Sequence, residues 1–256
     1  MIDLSGRLAL VTGGSRGIGR AAALALARAG ADVAITYVNA RRNAEEVGAE
    51  ILAMGRRTLV VRADLSEEDD TTNLVDAVAD QLGGLDILVS NAAGGGFRPL
   101  LETSGSQLDY AIHLNVRAFM LLTQKAAPLL EARAKDGQRS KVVTVSSWGA
   151  ERALPMYGAI GACKAAIESM TRHAALELGH RGINVNCVRA GVVDTGSLRA
   201  LPGVEAVLEE RRQRSMVDRN ISPEDVADTI AFLVSDRANM IQGQTIIIDG
   251  GTSLRP

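Results

Sequence analysis

The chain has 256 residues, of which 46% are hydrophobic and 23% are charged, a composition typical of one globular domain spanning 1–256. A net charge of -2 gives no electrostatic reason to expect a nucleic acid or an anionic membrane as partner. The chain opens without a signal-peptide pattern, and no apolar run reaches the ~20 residues of a membrane helix, so we expect a cytoplasmic protein.

Short apolar runs alternate with longer amphipathic segments along the chain. The runs are rich in Val, Ile and Leu without polar alternation, which is typical of parallel strands buried on both faces. This repeated βα pattern predicts an α/β fold, a single-domain doubly wound (Rossmann-type) sheet of about seven parallel strands with helices on both faces. The predicted strands span residues 8–13, 32–38, 58–65, 85–93, 141–147, 183–191 and 244–251.

Two of the intervening segments carry helix-end signals. Residues 19–30 end at Gly30, a common helix stop, and residues 66–82 begin with Ser66 as the expected cap and acids in the first turn. The two cysteines, Cys163 and Cys187, show no metal-ligand spacing with the histidines, so we expect no metal site.

The segment TGGSRGIG (12–19) lies between the first strand and the first helix. Gly13 would permit a tight turn, Gly17 would let backbone amides approach a pyrophosphate, and Gly19 would let the helix pack close to the strand. The flanking strand and helix are the context that a dinucleotide site needs. We therefore predict such a site, with an ordinary βα turn as the alternative.

The end of the second strand bears on which dinucleotide binds. The region around Tyr37 and Asn39 lacks the acid that binds the ribose hydroxyls of NAD. Arg16, Arg41 and Arg42 are close in sequence to where a 2′-phosphate would lie, and a guanidinium grips phosphate through two hydrogen bonds. We predict NADP(H); the alternative is that Arg41 and Arg42 are solvated residues at a helix start.

Further motifs follow in order along the chain. They are SNAAG (90–94), HLNV (113–116), VSS (145–147) and GQTIIIDGG (243–251). Together with TGGSRGIG and a tyrosine–lysine helix, they resemble the short-chain dehydrogenase/reductase family along essentially the whole chain. This resemblance implies a homotetramer as well as specific residue roles.

For the cofactor, the resemblance implies that Asp64 bonds the adenine amino group, with a helix cap as the alternative. Asn91 would lie beside the adenosine ribose or simply tie two strands together, and Thr195 would bond the carboxamide. The full predicted cofactor set is Gly13, Ser15, Arg16, Gly17, Ile18, Gly19, Tyr37, Asn39, Arg41, Asp64, Leu65, Asn91, Ala93, Lys164, Val193 and Thr195.

For catalysis, the resemblance implies that Ser147 faces the substrate carbonyl. Asn115 would hold the active-site helix through water, or would only satisfy buried backbone groups. Lys164 would bind the nicotinamide ribose and lower the pKa of a nearby tyrosine.

The tyrosine does not stand at the usual family position. Counting from Ser147 and from Lys164 leads to Ile160, whereas the available tyrosine is Tyr157. On a helix, residues seven apart lie within about 20° of one face, so we expect Tyr157 and Lys164 to share a helical face. Tyr157 would then lie about 4.5 Å closer to the helix start than position 160.

This shift bears on the reaction. In ketone reduction the acid acts one bond from the carbon that accepts hydride. In reduction of a 2-enoyl thioester, charge develops on an oxygen three bonds away, so the donor must stand further off. The spacing, with NAAGGGFRP (91–99) and NMIQGQTIIIDGGTSL (239–254), resembles the type III NADPH-dependent enoyl-acyl-carrier-protein reductases.

We therefore predict NADPH-dependent reduction of a 2-enoyl thioester, carried on CoA or acyl carrier protein, in fatty-acid or polyketide synthesis. Ser147 keeps a carbonyl reductase open as an alternative, and a catalytically idle NADPH-binding protein is a third. The residues predicted to contact substrate are Gly95, Phe97, Trp148 and Leu198.

A segment at about 195–220 is predicted to cover the substrate. Its apolar residues would face an acyl chain or pack as a lid on the body of the protein. Its arginines would meet an acidic carrier protein, or would form a solvated face. The apolar residues are Leu198, Leu201, Val204 and Val207, and the arginines are Arg199, Arg211, Arg212 and Arg214.

Overall fold

Seven parallel strands form one sheet in the order β3-β2-β1-β4-β5-β6-β7 in the computed structural model, which describes residues 1–135, 138–199 and 203–254. The predicted fold class and its seven strands are confirmed. The strands are β1 Leu8–Val11, β2 Asp32–Tyr37, β3 Thr58–Arg62, β4 Ile87–Ser90, β5 Ser140–Ser147, β6 Ile183–Ala190 and β7 Thr245–Ile248.

Helices cover both faces of the sheet. They are α1 Gly17–Arg28, α2 Arg41–Ala53, α3 Glu68–Leu82, α4 Gly105–Ile112, α5 Ala118–Arg133, α6 Gly158–Leu178, α7 Gly196–Arg199, α8 Val204–Arg214 and α9 Pro223–Val234. A π-helical turn, His113–Arg117, joins α4 to α5. No helix within the described ranges is long and apolar enough to cross a membrane.

Two apolar layers sandwich the sheet because alternate side chains of each buried strand point to opposite faces. In β1, Ala9 and Val11 pack into the layer formed with α1, α2 and α9. Leu8 and Leu10 pack into the layer formed with α3, α5 and α6. All four side chains are buried, which explains why the strand reads as a continuous apolar run.

The sheet reverses its order of winding at β1. This strand pairs with β2 on one side and with β4 on the other. At such a switch point the loops that follow the two strands turn away from each other. Ligands bind in the crevice between these loops, outside the carboxyl ends of the strands. The segment after β1 is the glycine loop, and the segment after β4 begins at Asn91.

Some predicted boundaries are wrong for local reasons. Glu67, not Ser66, occupies the N-cap position of α3 and makes no side-chain cap, and the Ser66 hydroxyl donates to Asp64 Oδ1 at 2.7 Å instead of capping the helix. Strand β7 stops at Ile248, before the predicted end, because Asp249 Oδ1 accepts the amide of Gly251 at 2.9 Å and turns the chain.

Candidate active site

The glycine loop after β1 has the backbone shape that its sequence predicts. Gly13 and Gly17 have φ angles of +65° and +55°, a region that side chains with a Cβ rarely adopt. A Cβ on Gly19 would lie 2.2 Å from the carbonyl oxygen of Gly13. Helix α1 can therefore approach the strand closely, with Ser15 and Ile18 completing the loop.

The start of α1 fits a phosphate-bearing cofactor. Arg16 occupies the N-cap position in an extended conformation, and no side chain caps the first turn, so its amides stay free to donate. The Arg16 side chain is exposed and makes no hydrogen bond or ion pair with any described residue. A cradle of free amides beside an unpaired guanidinium suits the pyrophosphate and 2′-phosphate of NADP.

The arginines after β2 are engaged with neighbours one helical turn away. Arg41 Nε donates to Glu45 at 2.8 Å and Arg42 Nε donates to Glu46 at 2.9 Å, in exposed pairs. Such pairs contribute about 0.3–0.5 kcal/mol each, so a phosphate could replace the glutamate at small cost. Their cofactor role, like that of the neighbouring Tyr37 and Asn39, stays a prediction.

Asp64 and Asn91 both have partners within the protein. Asp64 Oδ1 accepts the amide and hydroxyl of Ser66, at 3.0 and 2.7 Å. Asn91 Nδ2 donates to the carbonyl oxygen of Thr12 at 2.9 Å, which favours its interpretation as a tie between β1 and β4. Of their predicted neighbours at the cofactor, Leu65 is buried and Ala93 is exposed.

Asn115 lies in the π-helical turn and is buried, with 3% of its surface exposed. Its Nδ2 donates to the carbonyl oxygens of Gly94 and Ala111, at 2.8 and 2.7 Å. Its Oδ1 is buried and has no hydrogen-bond partner among the described residues. An unpaired buried acceptor costs about 1–3 kcal/mol, so the predicted water-mediated role fits the orphaned oxygen.

Ser147 and Tyr157 are joined by a hydrogen bond of 3.0 Å between their hydroxyl oxygens. Ser147 ends β5, whereas Tyr157 is the N-cap of α6 with φ -114° and ψ 5°. Tyr157 thus lies one residue before α6, although its carbonyl oxygen accepts the amide of Gly161 at 2.7 Å as in a helix, and the shared face with Lys164 stays a prediction. From this position the phenol hydroxyl of Tyr157 reaches the hydroxyl of Ser147.

Burial has opposite consequences for the two proposed catalytic groups. It raises the pKa of Tyr157, an effect that the hydrogen bond from Ser147 partly offsets. Burial lowers the pKa of Lys164 to about 8, and Lys164 Nζ donates to the carbonyl oxygen of Val145 at 2.7 Å. The expectation that Lys164 lowers the phenol pKa is wrong for this structure.

Of the predicted substrate residues, Phe97 lies beside Tyr157 and Gly95 lies beside Ile160. The rings of Phe97 and Tyr157 have centroids 5.8 Å apart with planes inclined by 33°. A Cβ on Gly95, whose φ is +134°, would lie 3.2 Å from Cγ1 of Ile160. The buried Ile160 therefore puts an apolar side chain where the common family pattern has its acid.

Trp148 packs beneath the substrate-covering segment. It is 5% exposed, and the guanidinium carbons of Arg152 and Arg211 lie 5.5 and 4.9 Å from its ring centroid. Arg211 belongs to α8, so this stacking joins the covering segment to the turn after Ser147. The tryptophan is thus packed under the segment, and its contact with substrate stays a prediction.

The covering segment approaches the cofactor site at its start. Cγ2 of Thr195 lies 3.4 Å from where a Cβ on Gly17 would stand, and Val193 is buried beside it in a bridge to Ile221. Leu198 is half-buried, and Leu201 lies outside the described residues. The apolar side chains of Val204 and Leu208 are buried, as expected for a lid that packs on the body.

Most arginines of this segment bind its own acids. Arg199 pairs with Asp194 at 2.6 Å, Arg212 with Glu209 at 2.7 Å, and Arg214 with Glu210 at 3.6 Å. This arrangement favours a solvated, self-paired face over a surface that awaits an acidic carrier protein.

A buried polar network beside the site was not predicted. Ser146 donates to Glu168 Oε1 at 2.6 Å, and Arg189 Nε donates to the same oxygen at 2.8 Å. Glu168 stands one helical turn after Lys164, a spacing that could have signalled a common face. No group of three His, Cys, Asp or Glu suited to a metal ion is found among the described residues.

A glycine loop suited to a dinucleotide lies at the switch point, near a buried lysine and a hydrogen-bonded phenol. This is the arrangement of a nicotinamide-dependent oxidoreductase. A family model described as Enoyl-(Acyl carrier protein) reductase matches residues 13–253. The chain belongs to the short-chain dehydrogenase/reductase family of oxidoreductases.

Two relatives with different reductase names and one solved structure are similar to the chain. A 1-cyclohexenylcarbonyl-CoA reductase of Streptomyces collinus is 39% identical over 97% of this chain and 87% of its own length. A 3-oxoacyl-(acyl-carrier-protein) reductase of Staphylococcus aureus is 35% identical over 95% and 96%. A solved short chain dehydrogenase from Burkholderia cenocepacia, in complex with NADP, is 39% identical over 98% and 99%, with a TM-score of 0.89.

Proposed function

We propose that the protein uses NADPH to reduce the C2–C3 double bond of a 2-enoyl thioester. The observation that carries the proposal is the displaced phenol: Tyr157 stands one residue before α6, three residues before the common family position, which the buried Ile160 occupies. Ile160 leaves the common position apolar. The likeness to a cyclohexenylcarbonyl-CoA reductase, which acts on a conjugated thioester by its name, supports the same chemistry.

The cofactor proposal rests on the glycine loop and its arginine. The amides at the start of α1 would hold the pyrophosphate, and the unpaired Arg16 would hold the 2′-phosphate together with Arg41. Lys164 would bind the nicotinamide ribose. The likeness to the NADP complex from Burkholderia cenocepacia supports NADP over NAD. NADPH, when bound, would supply the hydride for C3 and leave as NADP⁺, and the enolate that results would take a proton from solvent at C2.

The protein's own residues would handle the charge that develops at the thioester oxygen. A phenol keeps its proton at neutral pH, and burial raises the pKa of Tyr157 further, so the phenol would donate a hydrogen bond to that oxygen. Ser147 fixes the direction of the phenol through their shared hydrogen bond. Phe97 and the covering segment would exclude water from the thioester.

A second candidate is reduction of a 3-oxoacyl thioester. The hydrogen bond between Ser147 and Tyr157 favours it, because the same pair can polarise a ketone oxygen. The likeness to a 3-oxoacyl-(acyl-carrier-protein) reductase supports it as well.

The deciding experiment measures NADPH oxidation with crotonyl-CoA and with acetoacetyl-CoA under identical conditions. Turnover of crotonyl-CoA with at least about tenfold higher kcat/KM is the expected result, a difference of about 1.4 kcal/mol in transition-state stabilisation. Preference for acetoacetyl-CoA would establish the second candidate. Binding of NADPH without oxidation by either thioester would favour an idle cofactor-binding protein.

A further inference from the structure

The ring of Tyr157 lies directly on the backbone of Gly149, in the short turn that follows Ser147. A Cβ at position 149 would stand 2.3 Å from Cδ1 and 2.4 Å from Cε1 of the tyrosine ring. Carbon atoms in contact stand about 3.5–4.0 Å apart. No side chain at this position is therefore compatible with the present place of the ring.

A second glycine makes the same region compact. A Cβ on Gly161 would lie 2.6 Å from the carbonyl oxygen of Gly149, and the Gly161 amide donates to the carbonyl oxygen of Tyr157 at 2.7 Å. The two glycines, which we call the glycine notch, let the first turn of α6 press against the turn 148–150. The ring of Tyr157 rests in the notch.

The remaining sides of the tyrosine are also occupied. Phe97 flanks the ring at 5.8 Å between centroids. Met156, the preceding residue, has a φ of +60°, and its carbonyl oxygen accepts the amide of Arg98 at 2.8 Å. A left-handed conformation outside glycine persists where its surroundings hold it. These contacts thus fix the conformation in which the Tyr157 hydroxyl reaches Ser147.

We propose that Gly149 is a positioning residue for the active-site phenol, and that an empty position 149 is what allows a tyrosine at 157 to reach Ser147. The inference rests on the proposed catalytic use of Tyr157. In the common family pattern the tyrosine stands at position 160, within α6. The ring of a tyrosine there would not have to pass over the backbone of Gly149. The glycine notch is therefore a requirement of a tyrosine at position 157 and not of one at position 160.

The first test is Gly149→Ala. The added methyl group pushes the ring off the notch by about 1 Å or more, given ordinary contact distances, and removes the phenol from Ser147. A misplacement of this size lowers kcat by about 10- to 100-fold. The NADPH dissociation constant should stay within about twofold, because no predicted cofactor contact is touched. Gly105→Ala, at a helix start with no atom within 4 Å of the new Cβ, is the matched control.

A double-mutant cycle separates positioning from general damage. In Tyr157→Phe the ring remains but the hydroxyl is gone, so adding Gly149→Ala should cost no further activity. Equal losses in both backgrounds would overturn the proposal, as would an unchanged kcat in Gly149→Ala alone. The assay uses whichever of crotonyl-CoA and acetoacetyl-CoA the unmodified enzyme turns over, so failure of the enoyl assignment stays distinguishable.

A spectroscopic readout reports on the phenol itself. Burial raises the pKa of Tyr157 and the hydrogen bond with Ser147 lowers it, so displacing the ring in Gly149→Ala should change the phenol pKa. The ultraviolet titration of each protein, minus that of its Tyr157→Phe counterpart, isolates this group. A phenol pKa equal to that of the unmodified enzyme would contradict the displacement.

Folding failure would still be informative. If Gly149→Ala does not fold, the double variant Gly149→Ala/Tyr157→Ala removes the ring that the methyl group meets. Apart from that ring, the nearest atom to the new Cβ is the α-carbon of Gly161 at 3.4 Å, an ordinary contact. The double variant should therefore fold and bind NADPH. Its failure to do so would overturn the proposal.

Discussion

The phenol of Tyr157 is buried, with the hydroxyl of Ser147 and the ring of Phe97 as neighbours, and this environment shifts its pKa. Burial raises the pKa of the phenol, whereas the bond with Ser147 acts in the opposite direction. A group that keeps its proton well above neutral pH serves as a hydrogen-bond donor to a developing oxyanion. It is poorly suited to act as a base at the same pH.

Tyr157→Phe is expected to lower kcat by about 100-fold or more, the usual contribution of a positioned acid. Its NADPH dissociation constant should change by less than about twofold, because the phenol makes no predicted cofactor contact. Tyr110→Phe is the control, since Tyr110 is 47% exposed on α4. Steady-state kinetics and fluorescence titration measure the two quantities. Near-full turnover in Tyr157→Phe would disprove the assignment.

Lys164 makes the stability of the cofactor-free protein depend on pH. Its pKa falls from 10.5 to about 8 on burial, so between these values the unfolded chain holds a proton that the folded chain has released. The lysine therefore destabilises the fold below pH 8, and this cost disappears as the pH rises towards 10.5.

Lys164→Met should consequently be more stable than the unmodified protein at neutral pH, by about 1–3 kcal/mol. The gain should shrink towards pH 10.5, and denaturant unfolding at several pH values measures it. Lys141→Met is the control: burial also lowers the pKa of Lys141 to about 8, but this lysine bonds Asn184 and Asn239 rather than Val145. Of the two, Lys164→Met alone should weaken NADPH binding. A gain that does not vary with pH would contradict the expected linkage.

At the level of elements, the junction of β1 and α1 depends on the absence of side chains. Gly19→Ala would drive a methyl group into the carbonyl oxygen of Gly13, at 2.2 Å, and into the amide of Asn91, at 2.5 Å. Relieving this contact must move the loop or the start of the helix, because backbone atoms form one side of it. The geometry of the predicted phosphate site depends on both.

We expect Gly19→Ala to weaken NADPH binding by about 10- to 100-fold, which corresponds to an overpacking cost of about 1–3 kcal/mol. Gly105→Ala should bind NADPH normally, since the new methyl group meets no atom. Isothermal titration of both variants tests the difference. Equal affinities would show that the loop does not hold the cofactor.

The strands were predictable because parallel strands buried on both faces read as unbroken apolar runs. The glycine loop was also predictable, since Gly13 and Gly17 adopt the positive φ that its residue types favour. The N-cap conformation of Tyr157 was not, because residue preferences do not indicate a left-handed Met156 or a contact of the ring with Gly149, eight residues earlier in the chain. The bond that takes Ser66 from its expected cap is likewise a local competition that residue preferences cannot resolve.

At the level of the whole molecule, several large apolar side chains face outward. Tyr110 and Ile112 on α4 are 47% and 39% exposed, and Leu176 on α6 is 79% exposed. Strand β7 ends the sheet, and its Ile247 is 47% exposed. Exposed apolar side chains on helices, and an exposed apolar side chain on an edge strand, are both features of surfaces that meet another chain.

The family resemblance implies a homotetramer, and light scattering should therefore give a mass about four times 26.9 kDa. The mass should change little with salt, because apolar contacts are not screened. A control at low protein concentration separates stable assembly from weak association. A mass of one chain would contradict the expected tetramer.

The place of β1 between β2 and β4 has a consequence for biosynthesis. A ribosome delivers β1, β2 and β3 before β4, so the edge of β1 that pairs with β4 must wait unpaired until β4 has been made. Long-range parallel pairing is slow, and an open apolar edge invites wrong partners meanwhile. Slower synthesis between β1 and β4 would lengthen this exposure and is expected to lower the expression yield.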